Sequence, residues 1–225
     1  MVVKVGHRGA AGHEPENTLR SFRRAMDLGA DMVELDVQLC GSGELVVIHD
    51  ETVDRTTDGT GEVAKLSLDE LRGLDAGRRE RIPTLHEVID LATGRMGINI
   101  ELKGPGTAAP ALEHIERALD HGWEVSGFHV SSFRLEELSA IRELSGDVRT
   151  GVLYALEDGG IMDFAERSEA YSLNPHHRTV TPDLVEEAHD RGLKVFAWTV
   201  NEPKDIARLK GLGVDGIISD YPDRI

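Results

Sequence analysis

The sequence predicts a (β/α)8 TIM barrel with a small insertion after the second strand. Apolar, strand-like runs alternate with segments of helical period along the whole chain. Eight such strands are counted once one short ribbon is set aside, and 225 residues suit eight β/α units in one domain, 1–225. A doubly wound open sheet is the alternative, and the lack of a Gly-rich dinucleotide fingerprint after the first strand speaks against it.

Taken in order, residues 2–5 form a short apolar strand and residues 17–28 a helix. Leu19, Phe22 and Met26 lie at helical spacing there, and Gly29 closes the helix. Pro15 stands near its start, where a missing N–H costs little. Residues 32–39 are the second strand, and Gly41-Ser42-Gly43 turns the chain into the β-branched run 45–48. Residues 50–81 are irregular and read as an insertion on one face. They include a short helix over 68–74, whose Ser67 and Glu70 make a capping pattern. A helix over 84–91 follows Pro83, and 97–102 is the third main strand. The second half is more regular: helix 109–120, strand 125–130, helix 135–144, strand 149–153, helix 161–166, strand 170–173, helix 182–191 started by Thr181, strand 194–198, helix 203–210 and strand 214–218. No linker, low-complexity run or residue-level repeat divides the chain.

The composition excludes several classes of partner. A formal net charge of -16 argues against nucleic acid, which needs a basic footprint, and against a polybasic membrane surface. Hydrophobic residues at 40% are enough for a buried core. The single cysteine, Cys40, allows no internal disulfide and reads as a small buried residue. The Met1-Val2-Val3-Lys4 start shows no signal-peptide pattern, and no apolar run reaches membrane-spanning length, so cytoplasmic residence is the expectation. Oligomeric state is not legible in the chain.

The chemistry lies in four short motifs at or just after strand-like runs: His7-Arg8-Gly9, Glu34-Leu35-Asp36, His49-Asp50 and Glu101-Leu102-Lys103. In a barrel these positions fall on the C-terminal face, where active sites are built. Glu34 and Asp36 are two apart and so point the same way on a strand, as do Glu101 and Lys103. Simple exposure explains one Glu-x-Asp pair, but not the same placement on successive strands. Carboxylates gathered on one face suit a hard divalent cation, and two histidines supply proton transfer. That combination points to metal-assisted chemistry on a phosphate ester. A glycoside hydrolase would need the two carboxyls but not two histidines or a third carboxylate beside a lysine. Zinc, which favours His and Cys, is the lesser alternative to an oxygen-ligated ion.

These residues also carry a family resemblance. The chain resembles the glycerophosphodiester phosphodiesterases over essentially its whole length. The marks are the four motifs above, Pro15-Glu16-Asn17-Thr18, Arg55-Thr56-Thr57, Leu74-Asp75-Ala76-Gly77, Ile82-Pro83-Thr84-Leu85, Ser132-Phe133, Asn174-Pro175, Ala197-Trp198-Thr199-Val200-Asn201 and Ser219-Asp220-Tyr221-Pro222. The resemblance implies a barrel enzyme that hydrolyses small phosphodiesters with a divalent metal, Mg2+ or Ca2+ with Mn2+ as a third option. Glu34, Asp36 and Glu101 would hold the metal, and His7 and His49 would form the acid/base pair. Arg8 and Lys103 would contact the phosphoryl oxygens, Trp198 would line the pocket beside the alcohol groups, and 50–81 would be the family's insertion. Which histidine is the acid stays open, as does the first nucleophile: water, or the substrate's own glycerol hydroxyl.

For the remaining polar residues the sequence offers paired readings. Asp50 either orients His49 or caps the turn; Glu16 and Asn17 open the first helix, placed by capping or by the site. His176 and His177 read as loop residues, His129 as barrel interior, and His13, His86, His114, His121 and His189 as ordinary surface positions. A lysophospholipase D activity on a related barrel is the rival function, disfavoured by 4% aromatic content and no basic amphipathic segment. A catalytically silent barrel that only binds a phosphorylated metabolite would have lost a histidine or a ligand, and none is missing.

Overall fold

The structure is a computed structural model that describes residues 2–156 and 159–225. In chain order its strands are β1 (Val3–Gly6), β2 (Met32–Leu39), β3 (Leu45–Val47), β4 (Gly97–Leu102), β5 (Phe128–Ser132), β6 (Arg149–Tyr154), β7 (Ser172–Pro175), β8 (Lys194–Ala197) and β9 (Gly216–Ser219). All but β3 pair in parallel, and β1 bonds to both β2 and β9, so eight strands close into a barrel. The helices are α1 (Leu19–Asp27), α2 (Leu68–Arg72), α3 (Leu85–Ala92), α4 (Ala108–Asp120), α5 (Leu135–Leu144), α6 (Ile161–Arg167), α7 (Pro182–Asp190) and α8 (Pro203–Leu212). The predicted TIM barrel is the observed one.

Strand alternation sorts the side chains. Val33, Leu35 and Val37 of β2 and Ile98, Ile100 and Leu102 of β4 pack outward with Phe22 of α1 and Ile115 of α4. A second outer cluster joins Val152, Leu173, Val195 and Ile217 to α7 and α8. The inward positions differ: Val5, Phe196 and Ile218 form an apolar plug, while Glu34, Asp36, Asn99, Glu101, His129, Ser131, Ser172 and Asn174 are buried and polar. His129 Nε2 donates to Ser172 Oγ (3.0 Å), whose one proton goes to Asn174 Oδ1 (2.6 Å). Burial pushes the His129 pKa down to about 4, with Arg149 adding to the shift, so this ring is neutral and structural.

The segment between β3 and α3 packs on its own small core of Val53, Val63, Leu71, Ala76 and Ile82, against Cys40, Val46 and Ile48. Cys40 is buried there, as expected. Its helix α2 carries the full capping box of Ser67 and Glu70.

Three expectations need correction. Asn17 lies outside the first helix, with φ of 56°, and Thr18 is the true cap, so Pro15 precedes the helix by four residues. Strands β5, β7 and β9 begin two or three residues later than predicted and run further. Apolar residues ahead of them, such as Val125, pack under the helices rather than joining the sheet. Trp198 follows β8 and meets His176 in an isolated bridge instead of closing a strand. The ribbon set aside from the eight strands is β3, which lies outside the ring and antiparallel to β2, and His49 follows it.

The buried polar layer is tightly packed around Gly151. A Cβ at Gly151 would sit 2.5 Å from His129 Nε2 and 2.7 Å from Ser172 Oγ. Gly151→Ala is expected to lower stability by about 1–3 kcal/mol in chemical denaturation through overpacking; an unchanged denaturation midpoint would contradict this packing.

Candidate active site

The edge of β2 organises the site. β1 pairs with its lower half, Gly6 opposite Val33, and then leaves. β3 returns antiparallel along the upper half, Val47 opposite Val37, and Ile48 N–H donates to the Asp36 carbonyl (3.0 Å). His7 therefore arrives on this edge from below and His49 from above, with Glu34 and Asp36 on the strand between them. On the other edge β4 places Glu101 in register with Asp36. Glu34, Asp36 and Glu101 are all buried, and one oxygen from each lies within 4.8 Å of the others.

That concentration of charge is unfavourable on its own. Burial first, then Asp36 and Glu101, drive the Glu34 pKa well above the usual carboxylate range. Burial and Asp36 push Glu101 up to about 7. Glu34 Oε1 and Asp36 Oδ1 are buried without a hydrogen-bonding partner. Two orphaned buried carboxylate oxygens, with the Glu101 carboxylate beside them, form a donor set that can hold a hard divalent cation. Among the described residues this is the one such cluster.

Two cations and an amide partly offset the charge. Lys103 Nζ is 2.9 Å from Glu101 Oε1. Arg8 Nε is 3.3 Å from Asp36 Oδ2, and Arg8 N–H donates to Glu34 Oε2 (2.9 Å). Arg8 reaches there because the turn after β1 is tight: Arg8 has φ of 48° and Gly9 of 86°, and a Cβ on Gly9 would fall 2.4 Å from Ser21 Oγ. Asn17 Nδ2 donates to Asp36 Oδ2 (2.8 Å), which explains its left-handed conformation better than a helix start does.

Both histidines have a carboxylate on Nδ1. His7 Nδ1 is 2.6 Å from Asp220 Oδ1, and Asn201 Nδ2 donates to Asp220 Oδ2 (2.5 Å). His49 Nδ1 is 2.7 Å from Asp50 Oδ1, which settles Asp50 as the partner of its neighbour. A carboxylate at Nδ1 fixes the tautomer and leaves Nε2 as the nitrogen that could exchange a proton. Burial lowers the His49 pKa, against the opposing pull of Asp36 and Asp50, so the ring is neutral at pH 7. Buried Gln38 donates through Nε2 to the carbonyls of His49 (2.9 Å) and Asp50 (2.6 Å), fixing that backbone.

A narrow cavity of ≈ 20 Å³ beside Glu34 and Glu101 is lined by His7, Asn99, Ser131, Leu153 and Trp198. Trp198 is anchored by Nε1 donating to the Asn174 carbonyl (2.8 Å) and meets Phe133 and His176 edge to face. Lys103 Nζ stands 5.7 Å over the exposed Phe133 ring. A roomier cleft of ≈ 430 Å³ between α3 and α4, beside Trp123, lacks any such carboxylate cluster. Asp220, Asn201 and Gln38 escaped sequence reasoning as site residues. Asp220 stands 213 residues from the His7 it serves, and no spacing rule links them; Asn201 acts through Asp220.

Residues 7–224 match the model of the Glycerophosphoryl diester phosphodiesterase family. A glycerophosphodiester phosphodiesterase of Caldanaerobacter subterraneus subsp. tengcongensis is 42% identical, over 98% of this chain and 95% of the relative. One from Bacillus altitudinis is 35% identical, over 100% and 96%. The structure of an Oleispira antarctica phosphodiesterase, in complex with the product sn-glycerol-3-phosphate, superposes with a TM-score of 0.91 at 33% identity, over 98% of this chain and 94% of that one. With the same barrel, and sequence identity carried across nearly its full length, the chain belongs to the glycerophosphoryl diester phosphodiesterase family and is an enzyme, a phosphoric diester hydrolase.

Proposed function

We propose that the chain hydrolyses glycerophosphodiesters to sn-glycerol 3-phosphate and an alcohol, with a divalent cation held by Glu34, Asp36 and Glu101 and with His7 and His49 as the acid/base pair. The observation that carries this is the convergence of three buried carboxylates beside two imidazoles that each have a carboxylate at Nδ1. The lysophospholipase D reading is not favoured: the relatives bear the glycerophosphodiester name, and among the described residues no helix is long and apolar enough to cross a membrane. Cytoplasmic residence and the whole chain as one catalytic domain remain part of this reading.

A bound cation would neutralise a non-bridging phosphoryl oxygen and stabilise charge that grows there in the transition state. Mg2+, Ca2+ and Mn2+ all suit an all-oxygen donor set. Arg8 and Lys103 bind the remaining phosphoryl oxygens, and their pairing with Asp36 and Glu101 holds them at the rim before substrate arrives. One histidine takes the proton of the attacking hydroxyl or water through Nε2. The other gives a proton to the departing alkoxide, which otherwise leaves poorly. Asp220 and Asp50 hold each ring in orientation and stabilise its protonated form. Trp198, which lines the small cavity beside Glu34 and Glu101, would flank the alcohol half of the substrate.

His7→Ala and His49→Ala are each expected to lower turnover of glycerophosphocholine by about a hundredfold to ten-thousandfold with thermal stability retained. Near-native turnover in either would remove that residue from the pair. Chelation should abolish turnover, and added divalent ion should restore it; activity that persists through exhaustive chelation would remove the cation from the mechanism.

Glu34→Gln is expected to act with opposite signs. It should weaken divalent-ion binding by at least about tenfold in calorimetric titration, yet raise the melting temperature of the metal-free protein, because repulsion is relieved. Unchanged affinity would mean that Glu34 is not a ligand.

The raised pKa values make protons compete with the cation. Glu101 titrates near 7 and Glu34 is raised as well, so the metal-free site is protonated at low pH and binding must release those protons. Affinity should fall as pH drops through about 7, where Glu101 gains its proton; affinity that stays flat across that range would contradict the assignment.

A further inference from the structure

We propose that Arg55, carried by the segment between β3 and α3, is a positioning residue that holds the His49 imidazole in place through Asp50. This rests on the reading of His49 as one of the acid/base pair. Arg55 Nε donates to Asp50 Oδ2 (2.6 Å) and Nη2 to Asp50 Oδ1 (3.0 Å). The other face of the same guanidinium donates to Glu16, Nη1 to Oε2 (2.8 Å) and Nη2 to Oε1 (2.8 Å). Glu16 is held in turn by Arg8 Nη1 (2.7 Å). A continuous line of charge-assisted hydrogen bonds thus runs from Arg8, beside Asp36, through Glu16, Arg55 and Asp50 to His49 Nδ1.

Geometry shows why Asp50 needs this support. The His49 and Asp50 side chains are 31% and 28% exposed, so packing alone does not hold their rotamers. Gln38 fixes the backbone carbonyls at 49 and 50 but does not touch the Asp50 carboxylate. Arg55 does, and with a planar fork that sets the plane of the carboxylate. The arrangement parallels that at His7, where Asn201 sets Asp220. There the support comes from the loop after β8; at His49 it comes from the insertion, whose small core of Val53, Val63 and Leu71 gives Arg55 a firm base. The hydrogen bonds from Arg55 and His49 hold the Asp50 pKa below the usual carboxylate range. The bonds from Arg55 and Arg8 overcome burial and keep Glu16 at about 2. Both partners of the clamp are therefore ionised at working pH.

Two plainer roles predict different behaviour. A surface ion pair would matter slightly to stability and not to turnover, and Arg55 is 49% exposed. A direct phosphate contact would appear in KM, but Nε, Nη1 and Nη2 are already committed to two carboxylates.

The test is steady-state kinetics on glycerophosphocholine with metal-loaded Arg55→Ala, Arg55→Lys, His49→Ala and the Arg55→Ala/His49→Ala double variant, each with a melting curve. Arg55→Ala should lower kcat by about tenfold to hundredfold, the scale of a misplaced catalytic group, with KM and melting temperature little changed. Arg55→Lys, which keeps the charge but not the fork, should recover part of the loss and serves as the folded probe if the alanine variant is unstable. On the His49→Ala background the Arg55→Ala loss should disappear, because the group it positions is gone. An unchanged kcat, a loss confined to KM, or losses that multiply in the double variant would each overturn the inference. Near-native turnover of His49→Ala alone would instead overturn the acid/base reading beneath it.

Discussion

Three carboxylates are buried at the top of the barrel with one oxygen of each within 4.8 Å of the others, and the surrounding structure answers that crowding. Two unit charges 4 Å apart repel by about 4 kcal/mol at an effective dielectric near 20. A folded chain keeps such a cluster only where something opposes the repulsion. Arg8 and Lys103 supply two positive charges and Asn17 an amide, against three carboxylates, and two carboxylate oxygens still lack partners. The raised pKa values of Glu34 and Glu101 express that residual imbalance. A divalent cation is the natural complement, and the same charge would serve a substrate whose phosphoryl group is anionic.

The barrel brings this about through one strand. β2 is the longest strand, eight residues, and extends beyond its pairing with β1. The overhang gives β3 an edge to descend, so chain reversal returns His49 to the level of Asp36. Closure of the ring by β9 against β1 then carries Asp220 to His7 from the far end of the sequence. Each imidazole thus sits at a join, one made by barrel closure and the other by the insertion. The strained turn at Arg8 and Gly9 and the left-handed Asn17 lie at the same place, where two side chains must meet Glu34 and Asp36 from a single loop.

The parts legible in the sequence were those governed by short-range periodicity. Glu34-x-Asp36 and Glu101 stand at strand-face spacing, and their convergence follows from two parallel strands lying side by side in register. The Ser67 and Glu70 capping pattern and the helix start at Thr181 were equally local. What escaped depends on contacts distant in sequence. No spacing rule pairs His7 with Asp220 or Arg55 with Glu16, since the first needs barrel closure and the second the fold of the insertion. Late strand starts at β5, β7 and β9 escaped because hydrophobicity does not distinguish an apolar residue under a helix from one in a sheet. The antiparallel return of β3 was equally hidden, and with it the direction from which His49 enters.

The most direct test is anomalous diffraction from crystals grown with Mn2+. One strong peak bonded to oxygens of Glu34, Asp36 and Glu101 at about 2.0–2.6 Å is predicted, with His7 and His49 flanking it rather than bonding it. No peak among those carboxylates, or a dominant one ligated by histidines elsewhere, would contradict a cation-centred site.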